Sequence, residues 1–414
     1  ITHNDVDSIV LTGSYETALL FKKWNPSLRL LAETSGKNSI VVTASADIDA
    51  AVKDIIDSAF GHAGQKCSAA SLVIVEQSIY NNPNFFKQLK DAVTSLKVGD
   101  PADFSTSVGP LISPVNKNLS KVIEELEDGE EWLVEPKQLE NVYLWSPGVK
   151  INVQPGSWAH QNEWFGPVLG VMNAKDLEQA VDWQNSVPYG LTAGIQSLNE
   201  KECEYWIENV EAGNLYVNRT TTGAVVDRHP FGGWKKSSFG PTAKTGGNHY
   251  VSMFREYQPV ENIESLKYEF KLTWEEIGNK SIKLGDTESE RNFKRYVPHK
   301  SVLLVTDEDF SKNLENFIFW ISDLLNINIK IISQETLLSP DSNLDLSLFE
   351  KIRWIAKSKE IPTQIFNSGA TVDERGLSQN GKQELLCWVK EQSISITNHR
   401  YGNIGSGPQP FKDW

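Results

Sequence analysis

The sequence predicts an α/β fold with a largely parallel sheet, and three observations carry this prediction. Candidate strands and helices alternate from residue 7 to about residue 217, which is the order typical of a sheet covered by helices. Within the segment 47–59, apolar residues recur at helical spacing and mark one buried face. A second, shorter alternation begins at residue 296, so we expect a further, small and separate α/β unit there.

The first block is predicted from short apolar runs and from helical periodicity. Its strands are expected at 9–11, 39–42, 72–75, 168–172, 193–196 and 214–217, and its helices at 15–24, 47–59, 84–96, 114–126, 176–185 and 201–210. Asp47 and Asn199 precede two of these helices, and such side chains stabilise a helix N-terminus.

The remaining sequence divides into a connection and a second block. Periodicity fades between residues 238 and 295, where glycine and charged residues dominate, and we interpret this segment as an extended connection. The second block is expected to contain strands at 301–305, 329–332, 352–356 and 394–397, with helices at 309–325 and 382–391.

Composition excludes several classes of partner. The 414 residues carry a net charge of −14, which argues against nucleic acid and against an anionic membrane surface. The three cysteines are too few for a disulfide framework and favour a reducing, cytoplasmic location. The most apolar run, 317–325, is short and contains Asp323, so no membrane span is expected. Because a buried strand already begins near Ser8, we expect the chain to be the C-terminal part of a longer protein.

Cys67 is the candidate nucleophile. It follows Gly61 and Gly64, which allow a sharp turn that presents the thiol. The thiolate is the reactive form, and Lys66 or a helix N-terminus is expected to lower the thiol pKa. The alternative is an inert, packed cysteine, and we keep that interpretation for Cys203 and Cys387, which lie in helical patterns.

Glu33 is the candidate general base. It ends the apolar segment Leu30-Leu31-Ala32 and precedes Thr34-Ser35-Gly36-Lys37. Burial raises the pKa of a carboxyl group, which suits abstraction of a proton from water. Taken alone, such a glutamate is more often a helix cap or a solvated side chain. Its spacing from Cys67, 34 positions (67 − 33), gives the pair its meaning.

These two segments resemble the base and nucleophile motifs of the aldehyde dehydrogenase superfamily. Three further segments agree in order: Leu11-Thr12-Gly13-Ser14, Asn162-Glu163-Trp164-Phe165-Gly166-Pro167 and Pro230-Phe231-Gly232-Gly233. The resemblance covers about residues 1–255. It implies a truncated Rossmann domain (1–34), an α/β catalytic domain (35–237), the connection (238–295) and a further C-terminal α/β domain (296–414).

The resemblance also implies a nicotinamide cofactor, NAD, with NADP left open by the sequence. Ser14 would approach the pyrophosphate, beside Thr12 and Gly13. Glu163 would hold a ribose and Phe165 would pack near the nicotinamide. A capped loop and a core aromatic residue are the alternatives for these two. No metal site is expected. The superfamily usually has glycine at the position of Ala18, so the approach of the backbone to the cofactor is expected to differ slightly.

The segment 213–226 narrows the substrate. It resembles the branch that oxidises L-glutamate γ-semialdehyde (1-pyrroline-5-carboxylate) in proline catabolism. In that branch the substrate α-carboxylate is held by the residues that correspond to Ser68, Gly223 and Ala224, with Phe231 packing on the substrate. The implied chemistry is a thiohemiacetal and then a thioester on Cys67, whose backbone N–H holds the oxyanion, while Glu33 activates water.

The C-terminal segments 380–386 and 399–403 resemble the extra domain of proline utilisation A proteins, which join this dehydrogenase to an FAD-dependent proline dehydrogenase. The likeness implies a proline dehydrogenase, covalent or associated, as partner, a homo-oligomer, and a structural role as a cover between active sites. His399 and Arg400 are therefore interpreted as structural.

We expect the isolated chain to bind NAD weakly. The alternatives are a dehydrogenase for another semialdehyde and a non-catalytic module for assembly or tunnel closure.

Overall fold

The computed structural model describes residues 1–3, 5–241, 243–256, 258–278, 280–285, 287–358, 360–397, 399–401 and 403–404. Gly402 of the C-terminal likeness and residues 405–414 of the predicted C-terminal domain lie outside the described residues. None of the described helices combines the length and the apolar character needed to cross a bilayer.

The elements follow one another along the chain as follows. The strands are β1 (Ser8–Thr12), β2 (Arg29–Glu33), β3 (Asn38–Val42), β4 (Ala70–Glu76), β5 (Glu131–Val134), β6 (Gly148–Ile151), β7 (Val168–Ala174), β8 (Tyr189–Gly190), β9 (Thr192–Gln196), β10 (Asn214–Val217), β11 (Trp234–Lys235), β12 (Ser238–Phe239), β13 (Ile282–Lys283), β14 (Glu290–Pro298), β15 (Ser301–Thr306), β16 (Asn328–Ser333), β17 (Lys351–Trp354), β18 (Thr371–Asp373), β19 (Val389–Thr397), β20 (His399–Arg400) and β21 (Asn403–Ile404). The helices are α1 (Tyr15–Trp24), α2 (Ile48–Phe60), α3 (Gln77–Tyr80), α4 (Pro83–Thr94), α5 (Lys117–Glu124), α6 (Trp158–Gln161), α7 (Leu177–Asn185), α8 (Glu200–Asn209), α9 (Ile263–Ile277), α10 (Lys312–Leu325), α11 (Gln334–Leu338), α12 (Thr363–Phe366) and α13 (Gly381–Leu385), with 3-10 turns at Gly61–Gly64, Tyr250–Phe254 and Leu346–Leu348.

A ten-stranded sheet forms the centre of the molecule, in the order β13-β14-β19-β10-β9-β3-β4-β7-β6-β5. Its inner strands, from β19 to β6, all pair in parallel, and the outer pairs are antiparallel. Strands β3, β4 and β7 are almost continuously buried, as expected for strands covered by helices on both faces. The α/β prediction is therefore confirmed.

A three-stranded sheet, β1-β2-β12, carries the first part of the chain. Strands β1 and β2 run in parallel, so Thr12 pairs with Glu33 at their carboxyl ends. The core beneath this sheet is shared with the four-stranded parallel sheet β16-β15-β17-β18, since Tyr15 and Leu30 belong to the same apolar cluster as Leu303. The C-terminal unit is thus not the separate body that the sequence predicts.

The segment 238–295 is not an extended connection. It contains the fifteen-residue helix α9, the short strands β12 and β13, and the start of β14. Helix α9 begins at a capping residue, Asn262, whose side chain accepts from the Ser265 N–H, and it buries Leu266 and Phe270. From Leu266 to Trp274 its apolar residues alternate with polar ones. This spacing of two hides the helical period in the sequence.

The predicted helix 382–391 is also wrong. The chain forms the short helix α13 and then enters β19 at Val389, so the predicted strand 394–397 is only the second half of a longer one. This strand lies between β10 and β14 in the ten-stranded sheet. The last strand of the second block therefore belongs to the central sheet and not to the small one.

Candidate active site

The candidate nucleophile follows a sharply bent segment. Helix α2 ends at Phe60 and leads into the turn Gly61–Gly64, where His62 and Ala63 both have φ of 54°. Gly64 has φ of 68°, and a Cβ there would lie 2.3 Å from the Gly166 carbonyl oxygen, so only glycine fits. Such left-handed backbone is strained for residues with side chains and is typical of functional sites. The turn therefore presses directly against the loop that contains Glu163.

Cys67 itself is half-buried and fixed through its backbone. Asn38 Nδ2 donates to the carbonyl oxygens of Cys67 (2.7 Å) and Ala69 (2.9 Å). Thr221 Oγ1 donates to the Ser68 carbonyl oxygen at 3.0 Å. The nucleophile segment is thus held from the start of β3 on one side and from the 219–224 loop on the other.

The expected lowering of the Cys67 pKa is wrong. Burial raises the pKa of the thiol, and the negative charges of Glu33 and Glu163 raise it further. The backbone N–H groups of Cys67 and Ser68 act in the opposite direction, whereas Lys66 is not among the causes. A neutral thiol is the consequence of burial in a site of low polarity, reinforced by two nearby acidic groups.

Glu33 lies at the carboxyl end of β2, and its side chain has one described hydrogen bond. The Gly233 N–H donates to its Oε2 at 3.1 Å. Burial raises the pKa of Glu33 to about 8, while the charge of Lys244 and the Gly233 N–H act against this rise. A carboxyl group that titrates near neutral pH fits the predicted general base. The two segments also meet: a Cβ on Gly36, three residues after Glu33, would lie 2.9 Å from the Cys67 carbonyl oxygen.

The residues predicted at the cofactor lie at the carboxyl end of β1 and beside Glu33. The Gly13 N–H donates to the Glu33 carbonyl oxygen at 3.2 Å. Ser14 is the N-cap of α1, and its Oγ accepts from the Thr17 N–H at 3.2 Å. Ala18 is fully buried in the core on this helix, so its side chain packs against protein.

Glu163 and Phe165 occupy a loop that closes over the segment after Glu33. Glu163 Oε1 accepts from the Gly36 N–H at 2.9 Å, and burial raises the pKa of Glu163. Phe165 is half-buried with φ of 53°, a conformation that bulky residues seldom adopt without a reason. The structure thus brings the Glu33, Cys67 and Glu163 segments together.

The residues predicted at the substrate lie on the nucleophile segment and on the chain that follows β10. Ser68 is buried, whereas Gly223 and Ala224 are exposed, with Gly223 at φ of 89° and open space around it. Thr221 connects this loop to Ser68 through its hydrogen bond to the Ser68 carbonyl. Phe231 is half-buried and exchanges two backbone hydrogen bonds with Thr245.

Lys244 is a site residue that sequence reasoning missed. Its ammonium is buried and donates to the carbonyl oxygens of Gly213 (2.5 Å) and Gly232 (2.7 Å) and to Asn214 Oδ1 (2.9 Å). A single lysine in a glycine-rich stretch carries no signal in the sequence. Its importance depends on partners that are distant along the chain.

The fold and the site together define a class. Strand-end loops of an α/β protein unite a half-buried thiol, a carboxyl group with a raised pKa, and the capped N-terminus of a helix at the end of a parallel strand. The model of the aldehyde dehydrogenase family matches residues 1–260, and the chain belongs to that family.

Known relatives agree with this assignment. The chain is 37% identical over 239 residues to a 1-pyrroline-5-carboxylate dehydrogenase of Geobacillus sp. (strain WCH70), which covers 57% of this chain and 45% of the relative. The chain thus spans about half the length of the curated relatives it matches. A solved 1-pyrroline-5-carboxylate dehydrogenase from Thermus with bound NAD is 36% identical, with a TM-score of 0.56, over 61% of this chain and 50% of that one.

The similarity to one solved structure extends to the C-terminal unit. Proline utilization A from Corynebacterium freiburgense is 41% identical, with a TM-score of 0.86, over 97% of this chain and 43% of that chain. The helices and sheets beyond residue 260 are therefore shared with that protein.

Proposed function

We propose that this chain carries the nucleophile and the base of an NAD-dependent dehydrogenase that oxidises L-glutamate γ-semialdehyde to L-glutamate. The observation that carries the proposal is the union of Cys67 with Glu33, whose pKa is raised to about 8. The relatives named for 1-pyrroline-5-carboxylate support the choice of aldehyde.

The covalent step begins at Cys67. Its sulfur, once deprotonated, bonds to the aldehyde carbon, and the carbonyl electron pair moves to oxygen, where the Cys67 backbone N–H stabilises the negative charge. Bound NAD would supply the acceptor for the hydride that leaves the same carbon. The acyl group then remains on Cys67 as a thioester.

Hydrolysis depends on Glu33. Its carboxylate takes a proton from water as the water oxygen bonds to the thioester carbon, and the C–S bond breaks to release glutamate and the Cys67 thiolate. The single N–H donor from Gly233 leaves one oxygen of Glu33 without a described protein hydrogen bond. That oxygen suits the task of accepting the proton.

The chain offers groups that fit part of the cofactor. The N-terminus of α1, with Ser14 at its cap, supplies donors that suit a pyrophosphate. Glu163 supplies a carboxylate for ribose hydroxyl groups and is held in place by Gly36. Ser68, Gly223 and Ala224 would hold the substrate carboxylate, with Phe231 against its methylene groups.

The wider context is part of the same proposal. Proline utilization A is among the similar structures, which supports a proline dehydrogenase, with FAD, as the covalent or associated source of the aldehyde, and a homo-oligomer. The cysteines are free, in keeping with a cytoplasmic location.

The test combines turnover with protection of Cys67. Purified protein with NAD and glutamate semialdehyde is expected to form NADH, and glutamate semialdehyde alone should slow alkylation of Cys67 by iodoacetamide, followed by peptide mass spectrometry. Succinate semialdehyde, which lacks the carbon that bears the α-amino group, should protect less. Equal or better protection by succinate semialdehyde would instead favour another aldehyde as the substrate. If no NADH forms and neither aldehyde protects Cys67, the proposed dehydrogenase is rejected.

Calorimetric titration with NAD measures how much of the cofactor site this chain supplies. Weak binding is expected, and micromolar affinity would contradict that expectation.

A further inference from the structure

Lys244 occupies an unusual position for a lysine. Its side chain is 3% exposed, and its three described acceptors are two backbone carbonyl oxygens and the amide oxygen of Asn214. Among the described residues, no carboxylate forms an ion pair with the Lys244 ammonium. Burial lowers the pKa of Lys244, and the charges of Glu33 and Glu391 oppose that shift.

The lysine is tied to the turn that holds the base. Its ammonium donates to the Gly232 carbonyl oxygen, and the next residue, Gly233, donates its N–H to Glu33. A Cβ on Gly232 would lie 3.0 Å from Glu33 Oε1 and 3.5 Å from Lys244 Cα. The Gly232–Gly233 turn therefore packs directly between Glu33 and Lys244. Movement of Lys244 would therefore move the only described donor to the Glu33 carboxylate.

The lysine is also tied to a strand from the other end of the chain. Its backbone N–H donates to Glu391 Oε2 at 3.0 Å, and Trp234 Nε1 donates to the Glu391 carbonyl oxygen at 2.9 Å. Glu391 belongs to β19, beyond the residues that match the family model. Glu33, Lys244 and Glu391 line one cavity of about 20 Å³, which is enough for one water molecule.

We propose that Lys244 is a positioning residue for Glu33, and that Glu391 of β19 in turn positions Lys244. The ammonium fixes the Gly232–Gly233 turn and supplies the positive charge that faces the carboxylate of the base. The C-terminal strand thereby acts on the hydrolytic step without touching the substrate. This inference rests on the proposed role of Glu33.

Other charged groups lie near Glu33, Lys244 and Glu391. An experiment must separate their effects on Glu33 from the effect of Lys244. Lys294 of β14 lies 3.8 Å from Glu391 Oε1, and Lys390 of β19 lines the same cavity and pairs with Glu350 at 3.0 Å. Among the described residues, the pKa of the Cys67 thiol and that of the Tyr250 hydroxyl are also raised by the charge of Glu33.

The first experiment replaces the charge at constant length. In Lys244→Met, loss of the positive charge should raise the pKa of Glu33, so the pH midpoint of thioester hydrolysis should move upward by about one unit or more. Activity should recover at high pH. Lys150→Met is the matched control, because Lys150 is equally buried and paired with Glu130 at 2.9 Å but lies on β6, next to the edge strand β5. It should lose stability with no change in midpoint.

The second experiment keeps the lysine and removes only the charge behind it. Glu391→Gln retains an acceptor for the Lys244 N–H but removes the charge that raises the pKa of Lys244. Lys244 is then protonated less often and stabilises the Glu33 carboxylate less, so the midpoint should rise by a smaller amount, about half a unit. This variant decides the matter if Lys244→Met does not fold. An unchanged midpoint in either folded variant would overturn the proposal.

A measurement without turnover separates this proposal from the proposed function. The infrared band of the protonated Glu33 carboxyl group, identified by its absence in Glu33→Gln, can be titrated in the protein without substrate or NAD. Its midpoint should shift upward in Lys244→Met and Glu391→Gln even if the wild-type protein forms no NADH. If NADH forms but the band does not shift, the dehydrogenase stands and the role of Lys244 falls.

Discussion

The active site and the small C-terminal sheet both bury charged groups, but they treat them in opposite ways. In the C-terminal sheet, Asp373 receives Arg375 through two nitrogens at 2.8 and 2.6 Å and lies 3.1 Å from Lys351. These cations hold the pKa of Asp373 well below its usual range. In the active site, Glu33 has one N–H donor and a pKa raised to about 8.

The difference shows what burial alone leaves undecided. A buried carboxylate with cations at hydrogen-bond distance stays charged and contributes to the fold. A buried carboxyl group with a single neutral donor loses part of its preference for charge, and it can exchange a proton near neutral pH. We therefore expect substitutions in the active site to affect activity and substitutions in the C-terminal sheet to affect stability.

The largest effect is expected at the nucleophile. Cys67→Ala should abolish covalent capture and lower the rate of NADH formation by on the order of 10⁴-fold or more. Because Cys67 is only half-buried, the urea midpoint should change little. Cys203→Ala is the matched control: this thiol is buried and donates to the Ser197 carbonyl oxygen, so it should cost stability and leave the rate intact. A fully active Cys67→Ala would remove the basis of the comparison.

Glu33→Gln is expected to separate the two half-reactions. Hydride transfer should still occur, whereas hydrolysis should slow by roughly 10²- to 10⁴-fold. Stopped-flow measurement should show one equivalent of NADH followed by a slow phase. In the wild type the hydrolytic rate should rise with pH through about 8, because Glu33 accepts a proton only when ionised.

The same substitution should stabilise the protein at alkaline pH. The folded-state pKa of Glu33 lies above its unfolded value, so ionisation between about pH 4.5 and 8 favours unfolding. Wild-type stability should carry this loss as the pH rises, and Glu33→Gln should not. Equal pH dependence of urea unfolding in both proteins would contradict the raised pKa.

Asp373→Asn should show the reverse behaviour. It leaves Arg375 and Lys351 buried without their anion, which should cost about 3–5 kcal/mol of unfolding free energy. Because the pKa of Asp373 is depressed, its contribution is present above the unfolded pKa and is lost as the pH falls. Chemical denaturation at neutral and acidic pH measures this, and a smaller difference between variant and wild type is expected in acid.

The smallest effect is expected at two helix starts. Ser14 Oγ accepts from the Thr17 N–H at the start of α1, whereas Ser311 makes no such bond at the start of α10. Ser14→Ala should therefore cost about 1 kcal/mol, and Ser311→Ala much less. Weaker binding of NAD is expected only in Ser14→Ala. Equal losses of unfolding free energy in both variants would show that the Ser14 hydrogen bond does not stabilise the start of α1.

Local patterns in the sequence predict much of the first block. The helix at 15–24 coincides with α1, and the strand at 214–217 coincides with β10, because short apolar runs and capping residues act within a few positions. The sequence predicts Cys67 and Glu33 as site residues for the same reason, since each lies in a distinctive local motif.

The missed elements depend on partners that are distant along the chain. In β19, the side chains of Glu391 and Gln392 are polar, yet Gln392 donates to the Ala212 carbonyl oxygen and accepts from Arg295. The first half of this strand, 389–393, has no alternation of apolar residues to reveal it, and its glutamate favours a helix in isolation. Lys244 was missed for the same reason.

The position of β19 has a consequence for synthesis of the chain. Gln392 meets Ala212 across 180 sequence positions, and at 5–20 residues per second the ribosome needs about 10–40 s to make that stretch. During this interval β10 has an unpaired edge, with the apolar residues Leu215 and Val217 beside it. An exposed strand edge is a template for aggregation. The newly made protein is therefore expected to depend on holding chaperones until residues 389–397 leave the exit tunnel.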